Sequence, residues 1–532
     1  MKKKMRVRTM KQQDFFRGAS ILAFAGFVTK FIGALYRIPL TNIIGAEAIG
    51  MYQLVFSVYA LFLTTSTGGL PTGLSKLIAE TKATGEGSGE TGRIVGSSLG
   101  LSGLTGLIIS VVLMIFSKQI AAVQGNPVVS MGYTVIAPAI FFVSIIAVMR
   151  GYFQGEINMV PTATSQIVEQ VIKLVAGLAL AAVMIKKGIM YGAVGAILGV
   201  VISELAAAIY LYVLFLKSGG RLDIAISLRQ LKSDFKKVAK YSIPITIGGV
   251  LMPLTQFIDS FLVVNILNKA GFSLNISTSL YGILTGPVSS LINFPVIITI
   301  ALAVVIIPVV SRQKTHRNIR EILDKSNFAI KIAVFVGIPA AILFITFSGE
   351  IMRILYPGFT DFEISTASSL LRISATGIMF LAGMQIFTAL LQALDKQLLP
   401  IRNMAAAMIV KIILNIVLIK AVGISGAALS TVISYFTAAL LNFVSLSRLI
   451  GFKKNIFLAF AKVFAAGAIA TLFTVAVKNF ISNMHARLFL MAAAAMLIYF
   501  FVLLFTEFFT SDEMRSLPAG KFLLKITSKD LT

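Results

Sequence analysis

Apolar residues run through this chain in long blocks rather than in alternation. Leu104 to Phe116, extended on both sides, and Phe328 to Phe347 are examples. Blocks of about 18 residues or more cross a hydrocarbon layer of about 30 Å as helices. The ten-residue alternating segments of a membrane β-barrel are missing. Reading the blocks with their Gly, Pro and charged punctuation predicts spans near 15–43, 48–76, 94–117, 127–150, 160–185, 191–216, 241–267 and 280–310. Six more are predicted near 328–347, 365–394, 402–421, 424–448, 458–478 and 486–508. The expected class is an all-α polytopic membrane protein with about 14 transmembrane helices.

Composition agrees. The 532 residues are 57% apolar and 13% charged, with a mean hydropathy of +0.92, a balance suited to lipid rather than water. The net charge of +26 invites a nucleic-acid reading, but its distribution argues against one. Seven Lys/Arg precede the first span, from Lys2 to Arg17. Seven more lie from Lys217 to Lys240 and five from Arg312 to Lys325. Basic clusters beside spans orient membrane proteins with those segments inside. Both termini and the loops at 217–240 and 311–325 are therefore expected on the cytoplasmic side, with the connections near 44–47, 186–190 and 269–279 outside. The run Ala19 to Leu40 is too long for a signal peptide and carries Lys30 and Arg37, so it reads as a retained first helix. There is no cysteine, which excludes disulfides and thiolate chemistry. His316 and His485 are both expected in loops, so no metal site is expected.

The chain also repeats itself. Gly192, Gly195, Ala196, Leu198, Val201, Ile202 and Ser203 recur as Gly423, Gly426, Ala427, Leu429, Val432, Ile433 and Ser434, a constant offset of 231. Upstream, Gln154 with Pro161 matches Gln392 with Pro400, the spacing slipping by one. Both copies begin a span entering from the same face, which predicts two parallel six-helix halves. In transporters such halves enclose a site near the midplane and rock around it. The alternative is convergence, because close helix packing favours Gly and Ala. The expected domains are a first bundle, 1–216, a basic cytoplasmic linker, 217–240, a second bundle, 241–449, and two additional helices with a tail, 450–532.

A charge at a helix centre costs about 2.5–3.5 kcal/mol on insertion scales, so each needs a partner or a wet cavity. On the first helix, Gly26, Lys30, Gly33 and Arg37 share a stripe about 60° wide at 100° per residue. Two cations on one face make an anion site; the alternative is that both snorkel or pair with acids elsewhere. On the fifth span, Thr162, Gln166, Glu169 and Lys173 repeat that spacing. Glu169 stands one turn before Lys173, the better order for an intrahelical ion pair. That pair either neutralises itself or lines a cavity with Gln166, where sugar hydroxyls or a coupling cation could bind. Asp259 and Gln256 on the seventh span follow Gly248, Gly249 and Pro253, which loosen that helix. Asp259 reads as a counter-ion for Arg37 or Arg372, or as a gating or ion-coupling group. Glu204 on the sixth span is similar. Arg372, Lys331 and Lys411 lie in or near spans of the second half. Arg150 is expected to end a span at the cytoplasmic interface.

Gly87 to Ile94 approaches a phosphate-binding loop, but Arg93 and Ile94 replace its Lys and hydroxyl residue, and no strand precedes it. A flexible cytoplasmic loop is expected. No Ser/His/Asp set or metal cluster suggests an enzyme, and no cofactor is expected. Without a nucleotide site, active transport would draw on an ion gradient, the membrane potential or a partner.

The segment Arg150-Gly151-Tyr152-Phe153-Gln154-Gly155, with Met159, Pro161, Thr162, Ala163, Ser165, Gln166, Glu169 and Gln170, resembles the stage V sporulation protein B family. So do Lys30-Phe31-Ile32-Gly33, Tyr36-Arg37-Ile38-Pro39-Leu40, Gly68-Gly69-Leu70-Pro71 and the stretch Leu280 to Pro287. That family belongs to the multidrug/oligosaccharidyl-lipid/polysaccharide exporter superfamily, alongside the lipid II flippases. The resemblance runs along essentially the whole chain. It implies a V-shaped pair of six-helix bundles with two trailing helices, and a polyprenyl-diphosphate-linked saccharide as cargo. It also implies a cationic cavity for the diphosphate, with Lys30 and Arg37 in the corresponding part of the first helix. Lipid II flippases also carry basic residues in the second and eighth helices. Here no Lys or Arg lies between Ile49 and Leu74 or between Leu280 and Val310; Arg372 or Lys173 are the candidates to substitute.

The expectation is a plasma-membrane flippase that moves such a precursor outward by alternating access, working as a monomer among membrane lipids. Lys30, Arg37, Gln166, Glu169, Lys173 and Arg372 are the expected substrate contacts. Asp259, Gln256 and Glu204 are expected to gate or couple ions. Two rivals are a cation-coupled multidrug exporter and a non-transporting scaffold that recruits wall-synthesis enzymes through its basic loops.

Overall fold

The computed structural model describes residues 2–84, 88–220, 222, 228–315, 318–451, 455–477, 480–481 and 483–515; among them there are helices and turns and no strand. Twelve helical stretches are long and apolar enough to cross a membrane, or thirteen if the bent pair Asp361–Ala375 and Ile378–Ala393 forms one span. One of the twelve, Phe24–Ala83, has 60 residues, enough for two crossings, so the count is consistent with fourteen. Contacts divide the chain into two compact units, Met1–Pro287 and Val288–Thr532.

The first unit begins with α1, Lys2–Thr67, which contains a break at Gly45, where φ is 78° and ψ is 176°. The connection expected near 44–47 is therefore a one-residue kink. Only a residue without a Cβ takes that backbone conformation cheaply, so two spans meet with no loop. Gly68 and Gly69 end α1, and Pro71 starts α2, Leu70–Ala83, in the first turn, where its missing N–H costs nothing. Then follow α3, Ser88–Ile115, the short α4, Ser117–Val123, and α5, Ser130–Gly155. Next come α6, Val160–Met184, and α7, Ile189–Lys217. The unit closes with α8, Leu228–Lys269, and α9, Leu274–Ile283. Both pack on α1 within this unit.

Several sequence expectations change here. The segment expected to be a flexible phosphate-loop mimic is helical from Ser88, its Arg93 bonded to Glu90 (2.6 Å) and Asp234 (3.1 Å); Gly87 lies outside the described residues. The glycines that would loosen a free loop are tolerated because α3 packs on α5 and α8. Within the basic linker 217–240, residues from Leu228 onward belong to α8, while 221 and 223–227 lie outside the described residues. His485 sits in the first turn of a helix rather than a loop, because Asn483 caps that helix by accepting the Ala486 N–H. His316 and the tail from 516 lie outside the described residues.

The second unit contains α10, Ser289–Thr315, α11, Ile319–Thr346, and α12, Ser348–Leu355. The basic segment at 311–325 is thus largely the end of α10 and the start of α11. The predicted span 365–394 is two helices, α13, Asp361–Ala375, and α14, Ile378–Ala393, bent by 42°. Next are α15, Leu398–Val422, α16, Ile424–Ile450, α17, Asn455–Val477, α18, Met484–Phe505, and α19, Ser511–Arg515. Lys331 of α11 pairs with Glu513 of α19 at 2.7 Å, and the Tyr499 hydroxyl of α18 donates to the Phe335 carbonyl. These contacts hold the trailing helices on α11.

The repeat has local structural content in each unit. Gly195 of α7 approaches α6 so closely that a Cβ would stand 2.6 Å from the Leu180 carbonyl oxygen, and Gly426 of α16 meets Leu418 of α15 likewise. The helix ends agree too. Ile157 N–H bonds to Gln154 O (3.0 Å) and Asn158 N–H to Phe153 O (2.9 Å); Asp395 N–H bonds to Gln392 O (3.0 Å) and Lys396 N–H to Leu391 O (2.9 Å). Ile157 and Asp395 take φ of 60° and 59°, the left-handed cap that glycine supplies at Gly125 and Gly219. A β-branched side chain there costs about 1–2 kcal/mol. Ile157→Gly is accordingly expected to raise stability by about 1 kcal/mol, read as a higher midpoint in thermal unfolding; a lower midpoint would show that the exposed isoleucine contributes contacts worth more than the strain.

Candidate functional site

In the first unit, α5, α6 and α7 bring ionisable side chains together inside the bundle. Arg150, on α5 five residues before its end, turns inward. Its Nε donates to Ser165 Oγ (3.1 Å) and its Nη2 to Glu169 Oε2 (3.0 Å). The planar guanidinium spans two groups one turn apart on α6, a geometry that lysine could not reproduce. Glu169 Oε1 accepts from Gln170 Nε2 at 2.9 Å. The Glu169 carboxylate is therefore held by Arg150 and Gln170, rather than by an ion pair with Lys173. This corrects the sequence reading in one respect: the preferred intrahelical order at 169 and 173 is overridden by a partner from another helix.

Lys173 nevertheless belongs to the cluster, within electrostatic reach of Glu169, Glu204 and Arg37. Glu204 of α7 is 6% exposed and accepts a hydrogen bond from the Tyr59 hydroxyl of α1 at 3.1 Å. Arg37, Arg150 and Lys173 thus stand close to Glu169 and Glu204 inside the bundle. It also keeps unused hydrogen-bonding capacity. Tyr36 Oη, Thr162 Oγ1 and Gln166 Oε1 are buried without partners, a state that costs about 1–3 kcal/mol per group unless something fills it.

The other expected site residues stand on α1, α8, α13 and α15. Lys30 is exposed on α1, two turns or about 10 Å before the half-buried Arg37. Gln256 is exposed and Asp259 half-buried on α8, with Asp259 in electrostatic reach of Tyr281. Arg372 is in the second unit, exposed at the end of α13, its Nε donating to Ser348 Oγ at 2.8 Å. Lys411 is buried on α15. Arg150 and Tyr59 are the participants that sequence reasoning missed.

The cluster is not repeated at the corresponding positions of the second unit: at the repeat's own offsets, Arg150, Glu169, Lys173 and Glu204 correspond to Thr388, Met408, Ile412 and Tyr435. That unit offers an apolar cavity of about 270 Å³ among α11, α14, α16 and α17, with Phe380 edge-on to Phe436 and Phe387 tilted against Phe443.

Known proteins fit this architecture. A family model described as "Polysaccharide biosynthesis protein" matches residues 15–314. The chain is 29% identical over 530 residues to stage V sporulation protein B of Bacillus subtilis (strain 168), covering 97% of this chain and 100% of that one. It is 27% identical over 465 residues to lipid II flippase MurJ of the same organism, covering 83% and 84%. Among solved structures, a lipid II flippase MurJ in an inward closed conformation superposes with a TM-score of 0.70 at 16% identity, covering 91% of this chain and 98% of that chain. An inward-facing multidrug resistance MATE transporter of the MOP superfamily gives 0.65 at 17% identity, covering 79% and 94%.

Proposed function

Since the chain belongs to the polysaccharide biosynthesis protein family, within the MOP superfamily of multi-pass membrane transporters, we propose that it flips a polyprenyl-diphosphate-linked saccharide from the inner to the outer leaflet. The observation that carries this reading is the charged cluster of Arg37, Arg150, Glu169, Lys173 and Glu204 inside a membrane bundle, with Lys30 on the same stripe of α1. Its cations suit an anionic headgroup. Lys30 and Arg37 hold the diphosphate, with Lys173 behind Arg37. Gln166 offers its unused carbonyl to saccharide hydroxyls, and Arg150 positions Glu169. Arg372 is the second unit's candidate contact. The aromatic cavity of that unit suits an isoprenoid chain, since it is lined by apolar side chains alone.

Both termini face the cytoplasm in this reading, and the bundles 1–216 and 241–449 alternate access. Carrying two negative charges outward across an inside-negative potential gains about 4.6 kcal/mol per 100 mV. Buried Glu204 with its Tyr59 partner, and Asp259 with Gln256 on α8, are the groups that would gate or couple a cation. An acid at the centre of the cluster is also the feature that a cation-coupled exporter of small molecules would use.

Native mass spectrometry of the purified protein separates these readings. A co-purifying polyprenyl-diphosphate saccharide is the expected result; recovery of diacyl lipids alone, from cells making the precursor, would remove the proposal.

A further inference from the structure

The first unit holds a second polar feature, remote in chemistry from the charged cluster. Between the end of α1, the start of α2, α3 and α8 lies a cavity of about 360 Å³, at the small end of ligand pockets and room for a sugar ring. Its lining mixes aliphatic side chains with hydroxyls and, among the described residues, includes no charged and no aromatic side chain. Ser98, Ser102 and Thr105 line it from α3, Ser242 and Thr246 from α8, and Ser66 from α1. Hydroxyls of this kind ordinarily return their proton to a carbonyl of their own helix. Thr105 does so to Ser102 O (3.0 Å) and Thr246 to Ser242 O (3.0 Å), which leaves oxygen lone pairs for a ligand. Ser66 Oγ and Ser242 Oγ are buried and have no partner at all, and Ser242 is only 7% exposed.

One end of the cavity is closed by charge that is already largely spent. Ser97, also on its wall, donates to Asp234 Oδ2 (2.9 Å), which accepts from Arg93 as well. A free anion would find no cation among the described residues of the lining. The cavity therefore selects groups that bring O–H or N–H donors and no compensating charge.

Its side wall has the opposite character. Ile243 and Ile247 line the cavity and are 54% and 56% exposed, and Leu104, Leu107 and Ile108 of α3 are exposed beside it. These side chains face hydrocarbon in a membrane helix. A ligand that satisfies both walls is amphipathic, hydroxylated at one end and oily at the other.

We propose that this cavity binds a lipid through a neutral, hydroxyl-bearing glycosyl headgroup. The inference stands without the flippase reading, because none of its residues belongs to the charged cluster. Such a headgroup has two sources, the sugar of a transported lipid-linked saccharide and the resident glycolipids of the membrane.

The test uses the full-length protein in vesicles of phosphatidylcholine doped with glucosyl diacylglycerol, a polyprenyl-diphosphate disaccharide or a saccharide-free polyprenyl diphosphate, followed by native mass spectrometry of the lipids retained. Glucosyl diacylglycerol should be retained at least tenfold over phosphatidylcholine, and the triple variant Ser98→Ala, Ser102→Val, Thr105→Val should lose that preference while Thr105→Ser keeps it. Retention of the glucosyl lipid without the polyprenyl-diphosphate disaccharide would identify a resident membrane glycolipid; retention of both, lost together in the triple variant, would admit the sugar of the cargo. Both support the site. Should the triple variant remain monodisperse and retain the glucosyl lipid as wild type does, or should the saccharide-free diphosphate be preferred, the proposal is overturned.

Discussion

Replacing Lys30 and Arg37 together by alanine is expected to slow flipping of a polyprenyl-diphosphate saccharide by about 10²- to 10⁴-fold. Each cation gives the diphosphate a charge-assisted contact of about 1.5–3 kcal/mol, and 1.4 kcal/mol is about a factor of ten. The two residues should differ in what else they do. Lys30 is exposed on α1, so Lys30→Ala alone should leave stability unchanged. Arg37 is half-buried and faces Lys173 across the cluster, so its loss lowers repulsion there while removing a ligand contact. Rates measured in proteoliposomes by access of an external reagent to the labelled headgroup decide the matter. A double variant that flips at the wild-type rate, with its helical circular dichroism intact, would end the assignment of the first helix as the diphosphate site.

The second large effect is on stability. Breaking the Arg150–Glu169 pair from either side strands a charge inside the bundle. Each of Arg150→Met and Glu169→Gln should then cost about 3 kcal/mol, the lower end for buried pairs because both side chains keep 17% exposure. Arg150→Met with Glu169→Gln should recover at least half of the loss, since an uncharged pair needs no counter-ion. The chain has no tryptophan, so unfolding is best followed by far-UV circular dichroism or by loss of the monodisperse peak on heating. Additive losses in the double variant would mean that the two groups act independently, contrary to the 3.0 Å contact.

What could be read in the sequence divides along a physical line. The spans were legible because lipid offers a backbone no hydrogen bonds, so every crossing must be a long apolar helix whatever it packs against. Gly45 and the α13–α14 bend were not. A kink of one residue leaves no polar stretch behind, and a broken helix keeps its hydropathy. The cluster was half legible. Glu169, Lys173 and Glu204 stand out as charges in apolar surroundings, but which cation answers which acid depends on how neighbouring helices are rotated. At Glu169 the local rule pointed to Lys173, four residues on, and the tertiary partner Arg150 prevailed. The same contest explains Arg93. Its loop-like glycines argued for mobility, while Asp234, 141 residues away, holds it on a helix. The hydroxyls of the α3–α8 cavity gave no warning, because a serine that lines a cavity and one that caps its own carbonyl are written alike.

The paired bends at Ile157 and Asp395 carry a record of another kind. An isoleucine and an aspartate share neither size nor charge, yet each makes the backbone reverse its handedness for one residue at the same step between corresponding helices. The ancestry of the two hairpins is thus preserved in dihedral angles after the letters have drifted apart. For anyone exchanging hairpins between relatives, these two residues are the natural seams. A graft begun there inherits its exit direction from the recipient's own joint, and the strain of the left-handed residue travels with the donor only if the cut is placed after it.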